Sequence, residues 1–600
     1  MLASLKKSEG RSKRSAVTSS DVGPSTSSTV QQPANWQPAQ PPKKIRFSAR
    51  VRPLEELLLD ESLTDEQLLR TLTRPSTADD YGGAEVLVQQ LLSIAVGTSH
   101  GSQQRPAAEV ALRALRLVAS SHSPIYHSSL IQKIFERCLS QAIASSAAES
   151  TSSFCAKLLA VCAECAKRDV GLQQQLITCL VDILAKGEGD FLLITECLRI
   201  LSRQFAQECA SRHFLRLSNI CIDILMVGDV RVRLAALDLL NATIQLANRS
   251  IVELIPVEAL YKSVILGLDD NYEDIRLAAL QAIALLAQIK PKLFLEDDGP
   301  STSKASSSGN TLANLVFSRL CHACASDRQI RVRALAASLM SRIPGVSENF
   351  IEQALDKKTI ASMRVDNNEP SSTSRRGFGV CVGDYEVDAV SLISQSACGA
   401  LVHALEDEFY EVRESGIESL SRMITPNRFA FARQAQDFLI DAIGDEVESV
   451  VICALRALAR AGSQLDFTDK HVSAILFTLK MMAPAIRRQV HRTLSSLILG
   501  SRSSHIACCL ALFENIRQFP SDVDSIWACC AHLGRNHSQL TRANLNRLLE
   551  LHPMFLSQEA KMDDPTYIAK LLIIFSAAGA DGTSSQVNLI FYLFGHNCLP

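Results

Sequence analysis

Apolar residues recur at spacings of three and four along most of the chain. Clear examples are Ala108–Ser121, Phe154–Lys167 and Phe191–Phe205, which short polar or glycine-containing turns separate from their neighbours. This spacing places apolar side chains on one face of an α-helix, whereas a half-buried strand would alternate strictly. The pattern predicts helix after helix from about residue 79 onward, and we expect an all-α fold.

One helical phrase recurs along the chain. It combines acidic residues, an apolar–arginine pair and a run rich in alanine and leucine, as in DNYEDIRLAALQAIALLA at Asp270–Ala287. Related phrases occupy residues 228–240, 326–340 and 406–420. Aligning the apolar–arginine pair gives five repeat arginines: Arg233, Arg276, Arg333, Arg413 and Arg487.

The steps between these arginines are 43, 57, 80 and 74 residues. The second step returns to 43 when about 14 residues of serine-rich insert are removed, and the last is two units of 37 in which Val451 takes the arginine's place. The step of 80 holds a polar linker and an extra helical stretch and does not reduce to whole units. A helical unit of about 37–47 residues is typical of HEAT and armadillo repeats rather than of tetratricopeptide repeats.

The helical phrase is apolar on more than one side. Residues 275, 279, 282, 283 and 286 share one face, while Leu277, Leu280 and Leu285 point elsewhere. Such a helix must be covered on several sides, and stacking between neighbouring repeats provides that cover. We therefore expect a HEAT/armadillo-like helical-repeat solenoid. Acids such as Asp269 and Asp274 favour a helix N-terminus. The repeat arginine that follows has two possible roles: it pairs with an acid of its own repeat or of the next one, or it remains a solvated charge.

Composition divides the chain into seven predicted segments. These are a disordered Ser/Pro/Gln-rich tail (1–42), a basic tether leading into the first helices (43–78), N-terminal repeats (79–295), a disordered insert (296–310), further repeats (311–363), a polar linker (364–386) and C-terminal repeats (387–600).

Charge is distributed unevenly. Residues 1–52 contain ten lysines and arginines against two acids, so this arm carries about +8 and the remainder about −10. Lys6–Arg14 is either a nuclear import signal or a solvated tail. A second basic cluster is interrupted by apolar residues. We predict that it contacts a partner's acidic surface or a polyanion such as an inositol polyphosphate; the alternatives are that it is a second import signal or only improves solubility. Its members are Lys43, Lys44, Arg46, Arg50 and Arg52.

Motifs that could carry catalysis lack their structural context. GTSHG at Gly97–Gly101 matches a nucleophile elbow, but helical rather than strand spacing precedes it. The C-x-x-C pairs at Cys162/Cys165 and Cys321/Cys324 lie some 159 residues apart within helical patterns, so we interpret them as core residues rather than zinc ligands. We expect no enzyme, no metal and no further cofactor.

Composition also narrows the environment and the partners. The chain shows no secretory leader and no apolar run of the ~20 residues that cross a bilayer, and its 18 cysteines form no disulfide framework. These features predict a soluble intracellular protein without a membrane partner. Because aromatics are only 5% of the residues and the body is acidic, direct sequence-specific reading of nucleic acid is not expected.

Four stretches are more specific than a general repeat pattern: FIEQALDKK at Phe350–Lys358, SACGALVHALEDEFYEVR at Ser396–Arg413, DSIWACCAHLG at Asp524–Gly534 and MDDPTYIAKLLIIFSAA at Met562–Ala578. They resemble the Integrator complex subunit 4 family, most strongly over residues 347–578. The resemblance implies a nuclear, non-catalytic HEAT-repeat scaffold. In that family the scaffold holds the paired metallo-β-lactamase-type endonuclease subunits, together with other Integrator subunits, for 3′-end processing of small nuclear RNAs and cleavage of nascent RNA polymerase II transcripts.

Two expectations accompany this resemblance. Family members continue beyond the region that matches Ala578 into a domain that helps grip the endonuclease pair, so this chain, which ends at Pro600, is expected to be a fragment or a truncated gene model. The alternative function is that of a karyopherin-like HEAT-repeat transport adaptor. Such adaptors usually have strongly acidic inner surfaces, which the charge of about −10 matches only weakly.

Overall fold

The structure is a computed structural model. It describes residues 84–96, 105–121, 126, 128–145, 152–186, 190–246, 257–289, 312–356, 392, 397–425, 427–549 and 563–580. All of these belong to one compact unit, Leu54–Pro600. The predicted tail, tether, insert and polar linker, and with them Lys6–Arg14, Lys43–Arg52 and the GTSHG stretch, lie outside the described residues.

The described residues form helices joined by short turns. We number the principal helices α1 Ala84–Val96, α2 Arg105–Ser120, α3 Ser128–Ser145, α4 Ser152–Ala166, α5 Val170–Lys186, α6 Phe191–Gln204, α7 Phe214–Val227, α8 Val230–Leu246, α9 Val257–Leu266, α10 Glu273–Ile289, α11 Leu312–Ser326, α12 Ile330–Met340, α13 Glu348–Ala354, α14 Ala400–Leu405, α15 Tyr410–Met423, α16 Phe429–Asp441, α17 Glu448–Ala461, α18 Asp469–Phe477, α19 Pro484–Ser496, α20 Arg502–Gln518, α21 Val523–Asn536, α22 Ser538–Ala543, α23 Leu545–Leu548 and α24 Pro565–Ala580. Shorter turns at Ala206–Glu208, Cys209–His213, Gly267–Asp269, Ala442–Gly444, Thr478–Lys480 and Pro520–Asp522 complete the connections.

The prediction of an all-α fold is confirmed. Within the part of the chain that the structure describes, β-type pairing is limited to an isolated bridge between Phe467 and Leu499. None of the described helices combines the length and apolar character needed to cross a membrane.

The helices pack as pairs in two rows. Helix pairs such as α7 with α8, α9 with α10, α11 with α12 and α14 with α15 contact each other directly. The second helix of each pair also packs on the second helix of the next pair, in the order α2, α4, α6, α8, α10, α12, α15, α17, α19, α21 and α24. We call these the second helices. Pairs that contact mainly their neighbours in sequence are the hallmark of a helical-repeat array, so the predicted HEAT-like fold is confirmed.

Helix α10 shows why its sequence is apolar on several sides. Ile275 and Ile283, which lie on the predicted apolar face, are buried. Leu277 and Leu280, which lie outside that face, are buried as well. Helices α8, α9 and α12 all pack against α10, so the helix is covered from several directions. Because each covered apolar side chain leaves water, stacking stabilises a helix that could not be stable alone.

Close approach at the C-terminal end of the described array depends on a glycine. A Cβ atom at Gly534 in α21 would collide with the backbone carbonyl of Ile573 in α24. Any larger residue would push α24 away from α21, so this contact requires glycine.

Candidate functional site

The repeat arginines lie in the first turn of second helices and reach across to the next repeat. Arg276 Nε and Nη2 donate to the two carboxylate oxygens of Asp327 at 2.7 and 3.0 Å. Its Nη1 donates to the backbone carbonyl of Asp270 at 2.8 Å. One guanidinium therefore joins its own turn to the turn that begins the following second helix.

The same bidentate geometry recurs in the next two repeats. Arg333 donates to the carboxylate of Asp407 at 2.7 and 2.9 Å, and Arg413 donates to that of Asp445 at the same two distances. Arg233 reaches Asp270 through Nε and Nη2 at 3.0 and 2.8 Å, both to one carboxylate oxygen. Fork-to-fork pairing of this kind is among the stronger side-chain hydrogen bonds.

The acceptor aspartates Asp270, Asp327 and Asp407 each have three roles, which Asp327 illustrates. Asp327 Oδ1 accepts from Arg276 and also from the backbone N–H of Gln329 at 2.8 Å, which fixes the turn before α12. The backbone carbonyl of Asp327 then accepts from Arg333 Nη1 at 3.0 Å. Asp270, Asp327 and Asp407 thus each connect one repeat arginine to the next, and Asp445 accepts from the last arginine of the series. We call this series the arginine ladder; it consists of Arg233, Asp270, Arg276, Asp327, Arg333, Asp407, Arg413 and Asp445.

The ladder is largely withdrawn from solvent. The side chains of Arg276 and Asp327 are 12% and 9% exposed, and those of Arg413 and Asp445 are 15% and 14% exposed. Burial alone would raise the pKa of Asp445, but hydrogen bonds from Arg413 and from the Val447 backbone, together with the Arg413 charge, outweigh burial and lower it. The structure therefore places these arginines in inter-repeat ion pairs and not in solvent.

The ladder stops at one junction and resumes in the next. Val451 is buried at the position in α17 where α8, α10, α12, α15 and α19 have arginine, and Met481 replaces the acceptor aspartate of the following turn. Donor and acceptor are thus both absent between α17 and α19.

Arg487 then forms the most buried rung. Its side chain is 2% exposed, and Nε donates to Asp522 at 2.6 Å. Nη1 donates to the backbone carbonyls of Met481 and Met482 at 2.9 and 2.7 Å. The guanidinium also lies 3.7 Å from the centroid of the Phe519 ring, which is cation–π distance.

Sequence reasoning named the arginines but not their acceptors. Asp270, Asp327 and Asp407 each precede the arginine of their own repeat by six residues. That recurring Asp-x5-Arg spacing is the signal that could have identified them. Asp269, the acid predicted to favour a helix N-terminus, pairs with Arg319 at 3.4 Å.

The cysteines of the two C-x-x-C pairs lie in the helical core. Cys162, Cys165, Cys321 and Cys324 are each at most 1% exposed. Burial raises the pKa of Cys324 to about 12, with the nearby Asp407 charge acting in the same direction. Such thiols remain protonated and unreactive. No cluster of three or more His, Cys, Asp or Glu side chains within the described ranges is arranged to hold a metal ion.

A buried polar network joins the last described repeats. His505 Nε2 lies 3.1 Å from Thr541 Oγ1, and its Nδ1 lies 3.2 Å from Asn544 Nδ2. Burial, together with the nearby His537, lowers the pKa of His505 to about 4, so the ring is neutral at pH 7. The network satisfies buried polar groups between α20 and α22 and is not arranged as a nucleophile with its base.

No protein-family model matches the chain. Among solved structures, it is similar to importin β crystallised in an ammonium sulfate condition, with 12% identity over 86% of this chain and 64% of that one and a TM-score of 0.46. A likeness of that size supports no argument about function.

Curated relatives are more informative. The chain is 33% identical over 362 residues to Integrator complex subunit 4 of Homo sapiens, covering 58% of this chain and 36% of that protein. It is 31% identical to the Xenopus laevis protein of the same name, covering 66% of this chain and 42% of that protein. The Drosophila melanogaster protein matches at 29%, covering 53% and 32%. The chain thus spans about a third to two fifths of the length of these relatives. The resemblance read from the sequence is confirmed: over more than half of its length, this chain is similar to Integrator complex subunit 4 of several species.

Proposed function

We propose that this chain is a non-catalytic scaffold subunit of the nuclear Integrator complex. It holds the RNA endonuclease subunits, a metallo-β-lactamase-type pair, during 3′-end processing of small nuclear RNAs and cleavage of nascent RNA polymerase II transcripts. The observation that carries this proposal is the similarity to Integrator complex subunit 4 over 362 residues.

The arginine ladder gives this role a physical basis. A scaffold must keep separate binding surfaces at fixed spacing, and an array of repeats has contacts mainly between neighbours, so each junction can open independently. A bidentate pair such as Arg413 with Asp445 resists sliding and rotation at a junction, because both hydrogen bonds require one relative orientation of the two planar groups. Four consecutive pairs between residues 233 and 445 therefore favour a stiff platform.

Co-purification tests the proposal. The tagged full chain is expressed at endogenous level, recovered from nuclear extract at physiological salt and analysed by mass spectrometry. Recovery of the endonuclease subunits in near-equal amounts is the expected result. A cargo that is released by the GTP-bound form of Ran, without endonuclease subunits, would instead support the transport-adaptor alternative.

The basic segment is proposed as a second contact. Lys43, Lys44, Arg46, Arg50 and Arg52 bind an acidic surface of a partner or a polyanion such as an inositol polyphosphate that bridges to the endonuclease. The test neutralises all five residues while a foreign nuclear import signal is supplied. Loss of the endonuclease subunits that worsens steeply with salt is expected, since exposed charge contacts are screened within about 8 Å at physiological ionic strength. Unchanged recovery would contradict this contact while leaving the scaffold proposal standing.

A further inference from the structure

The N-terminal ends of α15 and α17 carry an exposed combination of aromatic and acidic side chains. Phe409 and Tyr410 are 40% and 44% exposed. Four glutamates around them are also exposed. We call this surface the acidic–aromatic edge; it consists of Glu408, Phe409, Tyr410, Glu411, Glu446 and Glu448.

The ladder brings the two parts of this edge together. Helices α15 and α17 pack directly on each other. The pair between Arg413 and Asp445 ties the first turn of α15 to the turn before α17. Residues 408–411 and 446–448 belong to these two turns, so they lie side by side on one rim of the array.

The ladder also leaves the negative charge of this edge uncompensated. The arginine within the two turns, Arg413, directs its guanidinium to Asp445 and to backbone carbonyls, one of which belongs to Glu408. Glu408, Glu446 and Glu448 form no ion pair with any residue that the structure describes. The Tyr410 hydroxyl bonds to Glu411, and the charge of Glu411 raises the pKa of Tyr410.

Helix stability accounts for only part of this composition. Acids in a first turn, such as Glu411 and Glu448, interact favourably with the helix dipole. Glu408 precedes its helix, however, and the dipole gives no reason for two exposed aromatic rings. Phe409 already has the guanidinium carbon of Arg333 at 5.7 Å from its ring centroid, so its π-face is a cation acceptor in this structure.

We propose that the acidic–aromatic edge docks an extended basic segment of a partner protein. Charge complementarity selects cationic side chains, and the exposed rings accept guanidinium groups or apolar stems. Packed helices lie roughly 8–10 Å apart. An extended segment in the polyproline II conformation advances about 3.1 Å per residue with three residues per turn, so cations three residues apart lie on one face at about this spacing. The fitting segment therefore has an Arg-x-x-Arg character.

Neighbouring turns limit where the cations bind. On the α12 side the exposed Arg328 repels positive charge, and so, less strongly, does Arg331, which pairs with Glu273 at 3.6 Å. On the α19 side Met482 is 80% exposed and offers apolar contact, and the exposed Lys480 of the same turn repels positive charge. The charged part of the partner segment is thus confined to the rim of α15 and α17.

A direct binding titration tests the proposal without any Integrator component. The probe is a fluorescein-labelled peptide in which three arginines are each separated by two serines, titrated with the full chain at low ionic strength and read by fluorescence anisotropy. The test variant is Glu408→Gln/Glu411→Gln/Glu446→Gln/Glu448→Gln. Its matched control removes four exposed acids elsewhere, as Glu348→Gln/Glu352→Gln/Glu514→Gln/Asp524→Asn.

The edge variant should weaken probe binding by about tenfold, as expected when several exposed charge pairs are lost, and the control should leave binding within about twofold. Phe409→Leu should weaken binding, whereas Phe477→Leu, at a ring that is 66% exposed elsewhere, should not. Arg328→Gln/Arg331→Gln should strengthen it, because repulsion is removed.

Absence of measurable binding would overturn the proposal, and so would equal losses in the edge and control variants, which would show unspecific attraction to an acidic protein. Because the altered residues are exposed, each variant should remain folded, with thermal melting lowered only slightly by the lost dipole interactions of Glu411 and Glu448 and by the lost contact of Phe409 with Arg333. Failure of this titration would leave the Integrator assignment untouched, since no Integrator subunit takes part in it.

Discussion

Replacing Arg487 with alanine should open the junction between α19 and α21. The substitution removes the bond to Asp522 at 2.6 Å, both bonds to the carbonyls of Met481 and Met482, and the stacking on Phe519. It also leaves the Asp522 side chain, which is only 5% exposed, without its counter-charge. Breaking a buried ion pair by removing one partner costs about 3–5 kcal/mol.

The effect is best measured locally. A repeat array need not unfold in one step, so a single melting temperature averages over junctions that open separately. Native-state hydrogen exchange reports each junction by itself. A cost of about 3–5 kcal/mol corresponds to exchange that is faster by roughly two to four powers of ten in the amides of α19 and α21.

The adjacent arginine provides the matched control. Arg488 is exposed and its Nε donates only to the Pro484 carbonyl of its own helix. Arg488→Ala should therefore change exchange by less than about fivefold, as expected for a surface substitution. Arg487→Met/Asp522→Leu should recover much of the protection, because replacing both charges with apolar groups leaves none unpaired. If Arg487→Ala and Arg488→Ala gave the same exchange, the buried rung would not stabilise the junction.

Three further predictions concern the ladder. Arg276→Ala should destabilise the α10–α12 junction by on the order of 1–3 kcal/mol, and a melting profile identical to the parent's would contradict this. The pKa of Asp445 is lowered in the folded state. The stability contributed by its pair with Arg413 should therefore be fully present above about pH 4, the pKa of an unfolded aspartate, and should be lost as the pH falls through the lower folded pKa. The difference in amide exchange between the parent and Asp445→Asn should accordingly vanish in acid. Val451→Arg and Met481→Asp together should form a new rung. In a double-mutant cycle, the free energy of unfolding of the double variant should exceed the value expected from adding the two single effects by about 0.5–3 kcal/mol, and simple additivity would show that no rung forms.

The fold could be predicted from the sequence because its determinants are local and repeated. In α10 the spacing of Ile275, Ala279 and Ile283 predicts the helix, and the off-face leucines predict cover from several sides. Neither inference needs knowledge of long-range contacts, since each repeat packs on its neighbours in sequence. The same logic placed the cysteines of α4 and α11 on helices, where the structure buries them.

The partners of the repeat arginines could not be derived in the same way. Arg333 and Asp407 are 74 residues apart, whereas Arg413 and Asp445 are only 32 apart, because the intervening inserts differ in length. Periodicity alone cannot say which of several acids near a helix start faces the preceding repeat. The choice depends on the turn: an aspartate that bonds the N–H two residues later, as Asp407 does to Phe409, has its carboxylate oriented toward the previous second helix.

The interruption between α17 and α19 shows that a rung works as a unit. Replacing the arginine of a rung alone would leave a nearly buried carboxylate without a counter-ion. Replacing the aspartate alone would leave a guanidinium unpaired. Either single replacement destabilises the protein more than replacing both residues with apolar ones, as Val451 and Met481 do at this junction. The junction is instead joined by Thr493 Oγ1, which donates to the Leu455 carbonyl at 2.9 Å. A single neutral hydrogen bond fixes orientation less strictly than a bidentate pair, because it restrains one direction rather than a plane. Among the junctions from α8 to α21, relative motion should therefore concentrate between α17 and α19, where faster amide exchange than at the α15–α17 junction would reveal it.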